Sequence, residues 1–504
     1  MNQQHFDVMI VGAGISGIGL ACHLKQDCPN KTFAILERRQ AMGGTWDLFR
    51  YPGIRSDSDM STFGYNFRPW TESKVLADGN SIRGYVQDTA AEYGIPKHIH
   101  YQRHVTHASW SSEKKLWTLT VINNANSSTE TWTANFLFGC TGYYNYDQGF
   151  SPVFPGQDDF KGQVIHPQHW PENLDYSGKR VVIIGSGATA ITLVPAMAGK
   201  AGHVTMLQRS PTYIATVPSI DFLYDNMKKI MPSKLAYTLT RNRNVSLQRA
   251  IFQLSKAQPQ IVRKLLLAAV KKQVGKKVDM KHFTPNYNPW DQRLCVVPDG
   301  DLFKVLRQGK AHIVTDHIER FTETGILLKS GEHLDADIIV SATGLNVQLL
   351  GGTQIDVDGK AVKPNDHLMY QGTLLEGVPN SALIVGYTNA SWTLKVDIAA
   401  DYITRLLNYM DQHGYKTVVP VDAEGCKTDD VVLGSLQAGY IQRAAGNLPR
   451  QGSKAPWQVL NNYVVDKVIL RDSRFDDGVL SFNSQKPVAP RVTAKKKGLK
   501  LLGA

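Results

Sequence analysis

Residues Phe6 to Leu24 read FDVMIVGAGISGIGLACHL: an apolar run to Val11, glycines at Gly12, Gly14 and Gly17, and a helical stretch from Ile18. A strand, a tight glycine turn and a helix N-terminus make a pyrophosphate site, because free backbone N–H groups and the helix dipole face the anion. The next apolar run, Thr32 to Leu36, ends in Glu37, placed to accept hydrogen bonds from an adenosine ribose. This half suits a nucleotide with a free 2′-hydroxyl, FAD or NAD.

A second unit follows Val181 to Ile184 and carries Gly185, Gly187 and Ala190, the alanine standing where close helix packing tolerates a methyl. The strand after it, Val204 to Leu207, ends in Gln208, Arg209 and Ser210 rather than an acid. A carboxylate there would repel a 2′-phosphate, whereas Arg209 and Ser210 would bind it, so this half is read as an NADPH site. Two such units predict an α/β fold with two Rossmann-like dinucleotide-binding domains.

Length and composition agree. A chain of 504 residues with 42% hydrophobic content is too long for one core. No uninterrupted apolar stretch is long enough to span a bilayer, and the early apolar segment lacks a basic flank or cleavage site, which predicts a cytoplasmic protein. The five cysteines, Cys22, Cys28, Cys140, Cys295 and Cys426, show no metal-ligand spacing and read as unpaired thiols. No metal is expected. Disulfide reductases with paired FAD and NADPH domains need a redox cysteine pair after the ribose acid; here that region reads Gly43, Gly44, Thr45, Trp46.

The net charge of +12 is concentrated. From Lys228 to Lys281 Asp279 is the only acid among many Lys and Arg, and Ile261, Leu265 and Leu266 have helical spacing. Three readings compete for this insertion: a solvated cap over the substrate site, a surface resting on anionic lipid, or a nucleic-acid patch. Aromatics are not interleaved with its charges, which argues against nucleic acid. The tail, with Lys495, Lys496 and Lys497 before Leu499, Leu501 and Leu502, reads as disordered, with a weak lipid anchor as the alternative. Two further strands are expected, Trp117 to Val121 and Thr131 to Phe138, around the polar turn Asn123 to Ser128. The expected divisions are 1–145 with 379–504 for the FAD domain, 146–173 for a connector, and 174–378 for the NADPH domain with a basic helical insertion at about 220–285.

The connector carries Phe160, Gly162, His166, Trp170 and Pro171, spaced F-x-G-x-x-x-H-x-x-x-W-P. Together with the flanking glycine units it resembles the type I Baeyer–Villiger monooxygenases of the class B flavoprotein family. Within that family the chain is most similar to the bacterial ethionamide-activating monooxygenases and the related flavin monooxygenases linked to long-chain-alkane use. The likeness rests on GGTWDLFRYPGIRSDSD (Gly43 to Asp59), IHPQHWP (Ile165 to Pro171), NPWDQRLC (Asn288 to Cys295) and NASWTLK (Asn389 to Lys395).

The resemblance implies bound FAD, NADPH as electron donor, and insertion of one oxygen atom from O2 beside the carbonyl of a small apolar ketone through a C4a-peroxyflavin. It places Gly44, Thr45, Trp46 and Asp57 with the cofactors. A peroxide anion needs a fixed positive charge in a dry site. By likeness that charge is Arg293, with Asp57 orienting it and the nicotinamide; arginine cannot quench the peroxide by donating a proton. His166 is read as fixing the connector, and Trp392 as either a flavin neighbour or a core aromatic. Gln292 stands where many members carry a lysine, which loosens selectivity for NADPH by about 1 kcal/mol. Oxygenation of sulfides, thioamides or amines, and oxidation of long-chain alkanes, are the alternative activities; a non-catalytic lipid-binding protein would leave both nucleotide units without a purpose. Oligomeric state stays open.

Overall fold

The computed structural model describes residues 4–292, 294–434 and 438–482. The run Phe6 to Val11 lies within the strand Gln4–Val11, which pairs in parallel with Phe33–Glu37 on one side and Ser128–Gly139 on the other. Ile99–Tyr101 adds a parallel strand beyond Phe33–Glu37. The two strands expected around the polar turn are present as Leu116–Asn123 and Ser128–Gly139, paired antiparallel, and Arg103–Ser111 continues the meander. Ser128–Gly139 is long enough to take the meander along its first half and Ser381–Leu383 along its last residues.

A second sheet of five strands is parallel throughout, in the order His312–Thr315, His203–Gln208, Arg180–Ile184, Ile338–Ser341, Gln163–Ile165. Val181 to Ile184 and Ile338 to Val340 are almost fully buried, as a sheet covered on both faces requires. The connector therefore contributes an edge strand, Gln163–Ile165, to this sheet. The chain returns to the first sheet at Gln354–Val357, which runs parallel to Arg103–Ser111, ahead of residue 379.

Each glycine unit leads from its strand into a helix, Ile15–Asp27 in the first and Ala188–Met197 in the second. The long helix Trp392–Gln412 buries its apolar face in the same core as Ile15–Asp27, so the C-terminal part of the chain completes the first domain. The basic insertion is helical, as Phe222–Ile230, Ser233–Ala257 and Pro259–Val274. It leaves and returns through two short parallel strands, Ile214–Val217 and Cys295–Pro298. No described helix is long and apolar enough to cross a membrane. The two domains share packing: Leu48, Phe49 and Tyr51 from the first unit sit in the core of the second sheet with Ile191, Val194 and Met197. All five cysteines are buried.

Candidate active site

At the first unit the reason for glycine at position 17 is a close approach: a Cβ there would lie 1.9 Å from the Gly12 carbonyl oxygen. The helix can thus start against the strand end, and Gly14 caps it without any side-chain hydrogen bond. Its first-turn N–H groups face outward, toward the place where an anion would sit. Glu37 is buried and its carboxylate accepts the N–H of Ala13 at 2.7 Å and of Arg39 at 2.8 Å. Burial pushes its carboxyl pKa up, and the two N–H donors oppose the shift.

From this unit opens a cavity of about 590 Å³, within the range of sites that enclose a sizeable organic ligand. Gly12, Gly14, Glu37, Gly44, Thr45, Trp46 and Asp57 all line it. Gly17 does not, because its work is packing. Asp57 is exposed to this space, near Tyr51. Burial, reinforced by Asp57, pushes the Tyr51 hydroxyl up to about 12. Tyr51 also bonds Thr189 in the first turn of the second domain's helix, and Thr189 with Ala188 forms the far wall. The cavity thus runs from one glycine unit to the start of the other unit's helix.

The remaining second-unit residues lie outside this cavity. Gly185 donates its N–H to the Leu207 carbonyl at 2.8 Å, Gly187 caps the helix without a side-chain bond, and Ala190 is fully buried. Arg209 and Ser210 are exposed just past the strand His203–Gln208, at the C-terminal edge of the sheet where a nucleotide would bind. Gln208 beside them is buried and donates to the His282 carbonyl and Thr315 Oγ1, so it serves the fold.

The connector residues are structural. Phe160 packs with Val182, Ile184, Leu207 and Phe321. Gly162 touches the Asp337 carbonyl, which a Cβ would approach to 2.4 Å. His166 Nδ1 accepts the Gln168 N–H at 3.2 Å, so Nε2 carries the proton donated to the Gly344 carbonyl at 3.1 Å. Burial lowers its pKa, although the carbonyl contact opposes this. Trp170 is buried in the second core and Pro171 is exposed. None of the five lines the cavity.

Arg293 lies outside the described residues. Its neighbours Trp290 and Leu294 line the cavity, with Val296 of the returning strand and with Ile251, Val262 and Leu266 of the insertion helices. These apolar side chains form one wall. Three residues absent from the expected set add polar atoms: Trp290 Nε1, Gln348 Oε1 and Asn389 Oδ1 are buried without a hydrogen-bond partner, and all three side chains line the cavity. Buried polar atoms of this kind fit a bound polar ligand. Trp392 also lines it, donating Nε1 to Ser16 Oγ at 2.7 Å and stacking on Tyr143 with centroids 5.2 Å apart. No group of metal-ligating side chains exists among the described residues.

Residues 6–351 match the model of the flavin-binding monooxygenase-like family. The chain is 61% identical to AlmA of Acinetobacter baylyi, named for an FAD-binding monooxygenase, over 98% of this chain and 99% of that protein. It is 51% identical to the FAD-containing monooxygenase EthA of Mycobacterium tuberculosis, over 95% of this chain and 98% of that one. An oxidised steroid monooxygenase bound to NADP shares the fold with a TM-score of 0.76 at 22% identity, covering 95% of this chain and 99% of the other. The two glycine units, the cavity between them and these likenesses agree, and the chain belongs to the flavin-binding monooxygenase-like family.

Proposed function

We propose that the protein is an FAD- and NADPH-dependent Baeyer–Villiger monooxygenase that acts on apolar ketones. The overall conversion takes a ketone, O2, NADPH and a proton to an ester or lactone, NADP⁺ and water. The observation that carries the reading is the single cavity joining the first glycine unit to the Thr189 turn of the second and walled by Ile251, Val262 and Leu266.

The residues present suit both cofactors. The uncapped turn at Gly14 offers N–H groups to the FAD pyrophosphate and Glu37 faces its ribose; Arg209 and Ser210 suit the 2′-phosphate of NADPH. Bound flavin would supply the activation of O2 once NADPH has reduced it. Asp57 is assigned to orient Arg293, whose permanent charge would steady developing negative charge. The apolar wall excludes water and leaves room for a hydrocarbon substituent on the ketone.

The test is NADPH consumption by the purified yellow protein, with NADH in parallel, with and without a long-chain methyl ketone, and products identified by mass spectrometry. Ester formed in step with NADPH oxidation is expected, with Arg293→Ala losing it. A protein purified without flavin, or an Arg293→Ala variant making ester at the wild-type rate, would sink the proposal. Oxidation of sulfides or thioamides without ester would retain the cofactors and move the substrate class.

A further inference from the structure

The insertion carries charge and apolar surface that neither the cores nor the cavity use. Residues 220–285 contain fourteen Lys and Arg against three Asp, a net of +11 out of the chain's +12, so the remainder is close to neutral. Part of this charge turns inward. Arg241 is buried on Asp397 and Arg243 pairs with Asp221. Lys234, Arg249, Lys264, Lys271 and Lys272 instead stand exposed, without a carboxylate partner among the described residues.

Large apolar side chains share these helices. Phe222 is 70% exposed, Ile230 80% and Leu265 62%. Leu247, Leu254 and Ile261 are exposed as well, on the two successive helices that meet at Gln258. Isolated surface leucines need no explanation, but a row of them on one basic helical unit does. The row is continuous with the cavity: Ile251 is both exposed and cavity-lining, and Leu265 adjoins the lining residue Leu266.

We infer that this helical face docks on an anionic lipid bilayer and that the cavity opens toward the acyl-chain boundary. Helices that combine exposed Lys and Arg with Leu, Ile and Phe rest in the interface with their apolar side chains among the lipid tails. Charge selects the surface. Two copies of this face would meet with like charge on both sides, which opposes a symmetric contact, whereas phosphatidylglycerol or phosphatidylserine headgroups complement it. Docking would deliver substrate without passage through water. That last step rests on the ketone reading; the docking does not.

The experiment is co-sedimentation of the full-length holoprotein with vesicles of phosphatidylcholine alone or with about one-third phosphatidylglycerol. Binding to the anionic vesicles only is expected, falling at least about tenfold at high salt as the screening length drops from about 10 Å toward 3 Å. Lys264→Glu/Lys272→Glu should abolish it. Leu254→Gln/Leu265→Gln, which leaves the charge intact and replaces no cavity-lining residue, should weaken it severalfold while NADPH oxidation with a short water-soluble ketone stays unchanged. Equal binding to neutral vesicles, no binding, or full binding by the Leu254/Leu265 variant would overturn the inference. So would sedimentation equilibrium showing that the same leucines hold two copies of the chain together. Vesicle binding without ester formation defeats the activity alone; ester formation without vesicle binding defeats the docking alone.

Discussion

Glu37 is held before any nucleotide arrives, since its carboxylate already takes the N–H groups of Ala13 and Arg39. Replacing it with Ala leaves buried donors unmatched, which costs about 1–3 kcal/mol. Glu37→Ala should therefore lower the melting temperature and yield protein with reduced flavin after gel filtration, and Glu37→Gln, which keeps an acceptor, should fall between. Full flavin in Glu37→Ala would remove it from the ribose site. His166 makes a different kind of prediction. Its Nδ1 must stay unprotonated to accept from Gln168, and burial holds its pKa below the ordinary 6.5. The unfolded chain then binds the extra proton first as pH falls, so the stability it contributes is present in full above 6.5 and is lost as pH drops through the lower folded value. Thermal melts between pH 7.5 and 5 should show this slope, and His166→Phe should flatten it; an unchanged slope would show that other groups carry it.

The helical insertion was legible as an element because its apolar spacing and its charge are local properties of the chain. Its anchoring was not. Helix Ser233–Ala257 reaches back to the first domain, where Arg241 Nη1 donates to the carbonyls of Gly64 at 2.6 Å and Ser61 at 3.1 Å while Nη2 meets Asp397 at 3.1 Å. Asn244 and Gln248 donate to Asp59. The insertion is thus tied across both domains, while its Ile251, Val262 and Leu266 wall the cavity. Arg241→Met should destabilise the protein by about 3–5 kcal/mol, because it leaves a buried carboxylate without its cation. Asp397→Asn in that background should recover part of the loss in denaturant unfolding; additive losses would mean that the pair is not coupled. The strands Ile214–Val217 and Cys295–Pro298 escaped prediction for a related reason: each has four residues, and its partner lies on the far side of the whole insertion in sequence.

Across the whole molecule the two nucleotide domains are joined by shared core and by charge. Leu48, Phe49 and Tyr51 pack into the second core, and Arg55 Nη1 meets Asp301 Oδ2 at 2.6 Å beside them. Asp301 opens the helix Asp301–Arg307, whose Leu302, Phe303 and Leu306 belong to that same core. Asp301→Ala should cost only about 1 kcal/mol, since the pair is partly open to solvent. Its clearer effect should appear in hydrogen exchange, as faster exchange in the segment from Tyr51 to Ser58. Unchanged exchange there would assign domain coupling to the apolar contacts alone.

Sequence by itself determined the two glycine units, their strands and helices, the basic helical insertion and the family, because each rests on residues a few positions apart whose backbone geometry and periodicity are local. The tertiary structure alone decided what those units enclose. Thr189 faces Tyr51, and Gln348, Asn389 and Trp392 meet Trp290 and Ser16 around one space, although they lie far apart along the chain. No local pattern marks such residues: a side chain becomes part of a wall only when distant strands and helices pack, and the same Gln, Asn or Trp elsewhere would be surface or core.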